Sequence, residues 1–404
     1  MSLIDNLQTK YGELHWWDFN DKSTYINKVF DGDEVTDFTL RASDYGLPST
    51  SLLVNIIQPI GGTSVSYPSG AITESILYIG DPYLTDGISN FTSRSFEITI
   101  DYTQCGTTDL YNYPVLVNIP SGGRLQTVPD GYVFSNIGND IRFWEDESFT
   151  IPLYWEVESY TTNQQLVAWV SIGTVSCSQP TKFYMTYGNE GYSSFSGGTT
   201  GSVWDINYNE VWHLNNNITN STSIGGNGSI TGSPTFESSL IGNGINIGTL
   251  DLVDVPYNTA SDIQTKISIS AWVKLTSYNA GYSLIVQKRD PVNISGEFDW
   301  GLWISDTGKL FFQYSNGGFI NHLGSSSVPT GQWTHVAVSI DETLLSDKLS
   351  FYINGILDSN PAYPSNIMTS SQPIQIGNYT PTGGYNINGR IDEIRVSPNY
   401  YTAS

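Results

Sequence analysis

Positive charge is scarce in this sequence. Its 404 residues include 16 Lys and Arg against 39 Asp and Glu, which gives a formal net charge of −23 at pH 7. Nucleic acid is bound by clustered Lys and Arg side chains that neutralise its phosphates. The sequence contains no such cluster, and we therefore expect no nucleic acid partner.

Cysteine and histidine are also scarce. The two cysteines, Cys105 and Cys177, can form one disulfide at most, and two small buried thiols are the favoured alternative. The four histidines lie far apart in sequence and show no metal-ligand spacing such as H-E-x-x-H. These counts exclude a disulfide scaffold and argue against a zinc site.

Long apolar runs are absent. No stretch approaches 18 consecutive apolar residues, so we expect no membrane span. Residues 1–11, MSLIDNLQTKY, lack the basic start, the apolar run and the cleavage site of a secretory signal peptide. We therefore expect the chain to be synthesised in a cytoplasm and to be soluble there at first.

Aromatic and turn-forming residues, in contrast, are abundant. Aromatic residues make up 13% of the chain and charged residues only 14%, the reverse of the composition of disordered chains. The 39 Gly and 18 Pro, together 57 of 404 residues, indicate many turns and few long helices. The composition predicts an all-β protein.

Alternation of apolar and polar residues predicts strands along most of the chain. The segment Phe96 to Tyr102 keeps strict period two, as a half-buried strand should. Comparable runs follow at residues 115–119, 166–170 and 182–185. The strands predicted in the C-terminal part are 267–274, 284–287, 300–304, 310–314, 334–340, 349–353, 374–376 and 391–396. Short strands with polar turns predict a jelly-roll sandwich of two antiparallel sheets.

A Ser/Gly/Thr-rich stretch at residues 193–202 is the clearest break in composition and predicts a linker. We predict four regions: an N-terminal docking or assembly region at 1–92, a β-sandwich domain at 93–192, the linker, and a C-terminal domain at 203–404. The first region is predicted to be rich in β-structure after one short helix. That helix would be capped by Ser2 and carry an apolar stripe including Leu7 and Tyr11.

Residues 203–404 resemble a laminin-G-like, concanavalin A-type lectin/glucanase domain of the bacterial and viral kind. The residues that carry the resemblance, in chain order, are Val211-Trp212-His213-Leu214, Ser270-Ala271-Trp272-Val273-Lys274, Gly331-Gln332-Trp333-Thr334-His335-Val336-Ala337-Val338, Phe351-Tyr352-Ile353-Asn354-Gly355, Ile376-Gly377-Asn378, and Asn388-Gly389-Arg390-Ile391-Asp392-Glu393-Ile394-Arg395-Val396-Ser397. The resemblance implies a two-sheet sandwich and a carbohydrate ligand.

Residues from about 95 to 188 resemble the uncharacterised β-domain that often precedes such a lectin-like domain in bacterial and archaeal surface proteins. The carrying residues are Tyr113-Pro114-Val115-Leu116-Val117, Asp140-Ile141-Arg142-Phe143, Ile151-Pro152-Leu153-Tyr154-Trp155-Glu156, Ala168-Trp169-Val170 and Tyr187-Gly188-Asn189. The order of the two domains along the chain supports both assignments.

Catalysis is a possible activity of this fold, because the resembled family includes glucanases. Retaining glycosidases on this sandwich share an E-x-D-x-x-E strand, and their two catalytic carboxylates lie about 5 Å apart. That strand is missing here, and no G-x-S-x-G nucleophile motif occurs. We therefore expect a protein that is not an enzyme.

Asp392 is the acid of greatest interest. Period two places it on the presumed core face of its strand, with Glu393 and Arg395 pointing outward. A buried carboxylate needs a partner. One alternative is a hydrogen-bond partner, either backbone N–H groups or a polar strand residue such as His213. The other is calcium, which related domains often carry near this position, with help from Asn215 and Asn220.

A candidate glycan face follows from strand parity. Across the Asp306-Thr307-Gly308 turn, the numbers of cross-strand partners should sum to 614, which pairs Trp303 with Phe311 on the outer surface. Adjacent exposed aromatic rings are surfaces on which sugar rings stack. The open alternative is that another domain or subunit covers this pair.

Lectin-like sandwiches work outside cells, yet the sequence shows no export signal. Release of an assembled particle by lysis resolves that conflict, so our leading hypothesis is a bacteriophage virion surface protein. It would be a head decoration or fibre, or a tail-associated protein, present in several copies or as a homo-oligomer, and it would display the lectin-like domain to host or environmental glycans. The alternatives are a carbohydrate-binding module of a cellular surface or secreted protein and, third, a glycan hydrolase.

Docking of the chain to other virion proteins is assigned to the N-terminal region. The candidate residues are apolar or aromatic: Leu3, Leu7 and Tyr11 on the predicted helix, and Trp16 and Trp17 just after it.

Overall fold

The computed structural model describes residues 94–401, apart from residues 106, 120–124, 128–131, 161–164, 291–297, 347, 363–366 and 380–383; before residue 94 it describes only four short strands. The chain divides into two compact units, one formed by residues 1–44 and 49–203 and the other by residues 45–48 and 204–404. The division between Val203 and Trp204 adjoins the predicted linker at residues 193–202.

The first unit contains a two-stranded hairpin and two four-stranded sheets. Its strands are β1 (His15–Asp18), β2 (Thr24–Asn27), β3 (Leu53–Asn55), β4 (Thr73–Leu77), β5 (Arg94–Ile100), β6 (Leu110–Ile119), β7 (Arg142–Trp144), β8 (Trp155–Tyr160), β9 (Leu166–Val175) and β10 (Thr181–Tyr187). The sheet orders are β4-β5-β10-β7 and β3-β6-β9-β8. Strand β3 runs parallel to β6, and the other pairs in these sheets are antiparallel.

Strand β5 differs from its prediction in one respect. Phe96 and Ile98 are buried as the period-two pattern predicts, but the intervening Glu97 is buried as well. It tolerates burial because the strand lies inside its sheet and the carboxylate has partners: Lys182 Nζ lies 2.8 Å from it, and the Tyr184 hydroxyl donates to it at 3.2 Å. A strand predicted to be half-buried is therefore covered on both faces.

The N-terminal predictions fall mainly outside the described residues. Leu3, Leu7 and Tyr11, with the predicted helix, lie there. Trp16 and Trp17 lie in β1, which pairs with β2. The docking role of all five residues therefore stays a prediction.

The predicted boundary near residue 92 also stays a prediction. Strands β3 and β4 precede it in sequence, and each forms the edge of one of the two four-stranded sheets.

The second unit is a sandwich of an eight-stranded and a seven-stranded sheet. Its strands are β11 (Glu210–Trp212), β12 (Ser229–Thr231), β13 (Thr235–Ser238), β14 (Asn243–Asn246), β15 (Leu252–Val255), β16 (Lys266–Leu275), β17 (Ser283–Arg289), β18 (Phe298–Ile304), β19 (Lys309–Ser315), β20 (Phe319–Ser327), β21 (Trp333–Asp341), β22 (Leu349–Ile353), β23 (Ile356–Ser359), β24 (Ile374–Ile376) and β25 (Gly389–Ser397). All eight predicted strands of this part are present, and the predicted all-β class is confirmed.

The larger sheet has the order β13-β14-β25-β16-β21-β22-β23, with β11 paired to β25, and the smaller has the order β12-β15-β24-β17-β18-β19-β20. All of their pairings are antiparallel. One continuous apolar core lies between them, to which β16 contributes Ile269 and Val273 and β18 contributes Leu302 and Ile304. Burial of each such side chain stabilises the fold by roughly 1.5–3 kcal/mol. The faces turned away from this core are called the outer faces below.

The hairpin of β18 and β19 has the predicted register. Trp303 pairs with Phe311 and Leu302 with Phe312, so partner numbers sum to 614 as expected. Gly308 closes the turn with a φ of +80°, a conformation that glycine adopts without strain.

Strand β25 contains a β-bulge that changes the predicted placement of Asp392. Ser270 of β16 pairs with Arg395, whereas Trp272 pairs with Asp392, so the register shifts by one residue. The extra residue is Glu393, which has a φ of +51°. The prediction that Asp392 lies on the core face is therefore wrong: it shares the outer face with Trp272, while the isoleucines of β25 before and after the bulge both reach the core.

Glu393 and Arg395 lie on the outer face as predicted, but both side chains are buried there. Their charges are paired, as described below for the charged cluster.

The two cysteines lie close together in the first unit as thiols. Cys105 is buried and Cys177 is half-buried, and the Cys177 thiol lies 2.8 Å from the backbone oxygen of Cys105. Burial raises the pKa of Cys105 to about 12. Over the described residues, the structure contains no helix with the length and apolar character needed to cross a membrane.

Candidate ligand site

The predicted aromatic pair lies on the outer face of the seven-stranded sheet. Trp303 and Phe311 pair across β18 and β19, and Leu284 of β17 pairs with Trp303 on the other side. The two rings are not exposed as expected: only 4% of Trp303 and 6% of Phe311 is accessible to solvent. They form a small second apolar cluster with Leu284 and Tyr379.

Tyrosines of the same unit cover the pair. Tyr282, just before β17, stacks on Phe311 with ring centroids 4.5 Å apart and planes at 26°. Tyr385, between β24 and β25, meets Trp303 edge to face at 5.9 Å and also contacts Tyr379 at 5.7 Å. Neither another domain nor another subunit is needed to bury the two rings.

A cavity of about 290 Å³ remains among these rings. Ligand pockets commonly measure about 300–1,000 Å³, so this space suits a small ligand such as one sugar ring. Six aromatic and two polar side chains line it, and together they are called the aromatic pocket: Tyr282, Arg289, Trp303, Phe311, Gln313, Phe319, Tyr379 and Tyr385.

Arg289 supplies the positive charge of the aromatic pocket. Its guanidinium carbon lies 4.9 Å from the ring centroid of Phe298 and 5.0 Å from those of Phe319 and Tyr379. Its Nη1 donates to Gln313 Oε1 at 3.3 Å. Burial lowers the pKa of Arg289, and the neighbouring tyrosines and Asp290 oppose that shift. The Arg289 guanidinium therefore packs against three aromatic rings, and the residue is almost inaccessible to solvent.

Gly301 leaves room for the indole of Trp303. A Cβ atom at this position would lie 2.6 Å from Trp303 Nε1 and 2.9 Å from the Cβ of Gln287. Any larger residue would displace the indole, so the shape of the aromatic pocket depends on this glycine.

Asp392 is fully buried and hydrogen-bonded. The Ser239 hydroxyl donates to its Oδ2, and the backbone N–H of Glu393 donates to its Oδ1 at 2.9 Å. His213, one of its expected partners, contacts Glu393 instead. The structure thus gives Asp392 the backbone donor of the hydrogen-bonding alternative.

The two asparagines predicted to assist calcium also face donors. Asn215 Oδ1 accepts from the backbone N–H of Asn243 at 3.2 Å, and Asn220 Oδ1 accepts from that of Thr222 at 2.8 Å. Calcium requires the lone pairs of six to eight oxygens at about 2.3–2.6 Å. The oxygens of all three predicted ligands thus accept hydrogen bonds, and calcium binding stays a prediction.

A charged cluster lies on the outer face of the eight-stranded sheet. Glu393 lies 2.7 Å from His213 Nδ1 and 3.0 Å from Arg395 Nη2. The Arg395 guanidinium also stacks over Trp204 at 4.8 Å. His213 and Arg395 lower the pKa of Glu393 although its burial acts in the opposite direction. The cluster is defined by His213, Glu393 and Arg395.

Glu210 is a buried acid that the sequence analysis missed. It accepts hydrogen bonds at 2.9 Å from Asn258 Nδ2 and from the backbone N–H of Gly226, and a further one from the Asn220 amide. Burial raises its pKa to about 7, although these hydrogen bonds lower it. Its position at the start of a short strand gives no sequence signal of burial.

Most of the aromatic pocket was also missed by sequence reasoning. Arg289 ends a strand whose prediction stopped at residue 287, and Tyr282, Tyr379 and Tyr385 lie in loops. The available signal was the local richness in tyrosine beside a predicted strand pair.

The fold and the aromatic pocket define the class of the second unit: a lectin-like β-sandwich. Residues 248–404 match the family model of the concanavalin A-like lectin/glucanases superfamily. Residues 137–215 match the model described as a domain of unknown function (DUF2341). A region similar to the concanavalin A-like lectin/glucanases superfamily thus follows a region similar to that domain, in the order that the resemblance implied.

Several solved structures are similar to the chain. One is domain 4 of AbnA, an extracellular arabinanase from Geobacillus stearothermophilus in complex with arabinotriose, with 21% identity, a TM-score of 0.39, and coverage of 48% of this chain and 94% of that chain. Another is the Ruminococcus gnavus sialidase module bound to α2,3-sialyllactose, with 17% identity, a TM-score of 0.32, and coverage of 40% and 92%.

A third is botulinum neurotoxin type C, whose cell entry depends on two ganglioside molecules. It shows 14% identity and a TM-score of 0.37, and the match covers 48% of each chain. The chain therefore spans about half the length of that neurotoxin structure. A comparison with curated protein sequences gave no significant match.

Proposed function

We propose that the second unit binds a carbohydrate in the aromatic pocket and does not cleave it. The observation that carries this proposal is a cavity of about 290 Å³ on the outer face of a lectin-like sheet, lined by six aromatic side chains and two polar ones. A pocket of this composition combines apolar contact area with a few polar groups that fix orientation, as small-ligand sites generally do.

The chemistry of the aromatic pocket suits a sugar ring. One face of a pyranose presents C–H groups, which pack on aromatic rings, while its edge presents hydroxyls. Arg289 and Gln313 offer N–H donors and an amide oxygen at the same cavity. Tyr282 and Phe319 are 42% and 48% exposed, which places two rings where a ligand would enter.

Binding without catalysis is favoured by the composition of the lining. Glycosidases use two carboxylates, about 5 Å apart in retaining enzymes and about 6.5–9.5 Å apart in inverting ones. The eight described lining residues include no Asp or Glu. Release of reducing sugar by the purified chain, abolished by a single carboxylate substitution, would contradict this part of the proposal and favour the glycan hydrolase.

Carbohydrate binding is tested with the full chain on a glycan array, followed by calorimetry with the best sugar. Tyr282→Ala removes a half-exposed ring that stacks on Phe311, and we expect it to weaken binding at least tenfold. Tyr111→Ala is the matched control, since Tyr111 is 65% exposed and lies in the first unit. Unchanged affinity in Tyr282→Ala, or equal loss in both variants, would remove the aromatic pocket as the site.

We further propose that this binding unit is displayed on a bacteriophage particle, as the sequence analysis led us to expect. The acidic surplus of 39 Asp and Glu over 16 Lys and Arg supports this role, since it would keep neighbouring copies soluble and mutually repelling. Peptide mapping of purified particles tests it. Absence of the chain from the particles would leave the alternative of a cellular surface or secreted binding module.

A further inference from the structure

Two connections of the first unit pass between its four-stranded sheets at the same place. One leads from β5 to β6 and the other from β9 to β10. Ile100 at the end of β5 pairs with Thr181 at the start of β10, and Leu110 at the start of β6 pairs with Val175 at the end of β9. The two connections are therefore neighbours, and each contains one of the two cysteines of the chain.

The two thiols meet where these connections approach each other. Cys177 Sγ lies 2.8 Å from the backbone oxygen of Cys105 and 2.9 Å from that of Thr108. The side chains of the two cysteines also hydrogen-bond to each other, which brings their sulfur atoms into contact. Such proximity is what a disulfide requires, since the Cα atoms that it bridges lie no more than about 7 Å apart.

Hydrogen bonds hold the backbone at both cysteines. The N–H of Cys105 donates to the backbone oxygen of Tyr102 at 3.0 Å, at the end of a short helical turn. The N–H of Cys177 donates to Asp109 Oδ1 at 2.7 Å, which ties the second connection to the first. The backbone therefore keeps the two thiols together, and little chain entropy is lost when they bond in the folded state.

The two thiols differ in reactivity. Burial, the Cys177 thiol and the carboxylates of Asp101 and Asp109 raise the pKa of Cys105 to about 12. Burial also raises the pKa of Cys177, but its hydrogen bond with Cys105 opposes that shift. Cys177 is half-buried, whereas Cys105 is buried. Because the thiolate is the nucleophile, Cys177 is the thiol that reacts first with a disulfide from solution.

We infer that Cys105 and Cys177 form a site of oxidative modification, at which a low-molecular-weight disulfide such as oxidised glutathione converts the two thiols into one intramolecular disulfide. The Cys177 thiolate attacks one sulfur of oxidised glutathione and releases one molecule of glutathione. The Cys105 thiolate then attacks the Cys177 sulfur of this mixed disulfide and releases the second. The two released thiolates take up the two protons that the cysteines lost, so the protein is oxidised and the glutathione reduced.

The new bond would join the two connections, and through them the two sheets of the first unit. It would close a loop of about 70 residues that contains strands β6 to β9, and so restrict the unfolded chain. Reducing conditions keep such a bond open, and oxidising conditions outside cells close it. We therefore expect the first unit to be more stable in an oxidising solution than in a reducing one.

The test uses the unaltered full chain, incubated with oxidised or with reduced glutathione at about pH 8.5, where a free thiol is half ionised. We expect the folded chain to lose two hydrogen atoms in the oxidised sample, measured by intact mass. Peptide mapping should then give a peptide pair in which Cys105 is joined to Cys177. The thermal midpoint of the oxidised chain should lie roughly 5–15 °C above that of the reduced chain.

Two single variants locate the reaction. Cys105→Ala retains the more accessible thiol and should stop at the mixed disulfide with glutathione. Cys177→Ala retains the buried thiol and should not react while the chain is folded. Neither variant should show the rise in thermal midpoint on oxidation. The unaltered chain alone decides the result if a variant fails to fold.

Four results would overturn the inference: no reaction in the folded chain, a mixed disulfide at Cys177 that persists in the unaltered chain, a bond between two chains, or a link that forms only in denaturant. A disulfide between Cys105 and Cys177 with an unchanged thermal midpoint would overturn its stabilising role. The aromatic pocket lies in the second unit, so its proposed carbohydrate binding is tested independently of all these outcomes.

Discussion

Both outer faces of the C-terminal sandwich contain buried polar groups near their centres, but these groups have different surroundings. On the eight-stranded sheet, the charged cluster of His213, Glu393 and Arg395 neutralises its own charges through short contacts. On the seven-stranded sheet, aromatic rings surround Arg289 and leave a cavity. On one face the charged groups pair with one another, and on the other the polar groups line a cavity.

The difference follows from what each charged group has as a partner. The Glu393 carboxylate meets two basic side chains, so its removal would leave the buried Arg395 without this acid. Arg289 lies against the rings of Phe319 and its neighbours, donates to the Gln313 amide, and lines a cavity. The comparison teaches that burial of a charge does not by itself distinguish a structural group from a binding group.

Removal of the Glu393 carboxylate is expected to have the largest effect on stability. Glu393→Met leaves Arg395 buried without its acid, and loss of one partner from a buried pair typically costs about 3–5 kcal/mol of unfolding free energy. Denaturant unfolding of the full chain measures the change. Glu237→Met is the control on the same sheet, because Glu237 and its partner Arg390 are both substantially exposed, and its unfolding midpoint should hardly move.

Equal unfolding midpoints of the two variants would show that the charged cluster does not stabilise the fold in the way proposed.

Acidification is expected to have the next largest effect, through His335. This residue packs against Trp272 on the same outer face, and burial together with Arg395 lowers its pKa to about 3. Between pH 6.5 and pH 3 the His335 imidazole is protonated in the unfolded chain but stays neutral in the folded chain. The free energy of unfolding therefore falls as the pH falls through this range, by about 1.4 kcal/mol per pH unit.

The contribution of His335 is isolated by comparing two pH profiles of unfolding free energy. His335→Phe keeps a ring beside Trp272 but cannot titrate, so the variant should lose less stability than the parent between pH 6.5 and pH 4.5. Glu210, whose pKa is raised to about 7, acts in both chains and cancels in the difference. If the parent and His335→Phe lost stability equally between pH 6.5 and pH 4.5, His335 would not have the lowered pKa that this prediction requires.

Removal of calcium is expected to have the smallest effect. The oxygens of Asp392, Asn215 and Asn220 already accept hydrogen bonds, so chelation with EDTA should leave the thermal midpoint of the full chain unchanged. If calcium were bound, a free calcium concentration of a hundred times the dissociation constant would instead add about 2.7 kcal/mol to the free energy of unfolding. A clear fall of the midpoint, restored by added calcium, would favour the calcium alternative for Asp392.

Sequence reasoning succeeded where side chains obey a regular period. The alternation in β18 and β19, together with the turn at Gly308, sufficed to pair Trp303 with Phe311. It failed to find β20, because Phe319–Ser327 contains a glycine and three serines and has no sustained apolar alternation. That strand contributes Phe319 to the aromatic pocket, so the omission affected the site as well as the sheet.

The covering of the aromatic pair could not have been predicted from local patterns. Tyr282 and Tyr385 are about a hundred residues apart in sequence, and both lie outside strands. Their contacts with Phe311 and Trp303 depend on the positions of β17 and β24 in the sheet order, which period and propensity do not specify. A surface predicted to be an open platform is therefore a pocket.

The bulge at Glu393 has a consequence for aligning this chain with other sandwiches of its kind. It acts as a one-residue insertion within a continuous strand, and the core isoleucines on either side of it are separated by three positions instead of two or four. A gap-free alignment to a relative with a regular strand would therefore match each later core residue of β25 with a residue from the opposite face. Placing the gap at Glu393 would restore the equivalence of every side chain that follows.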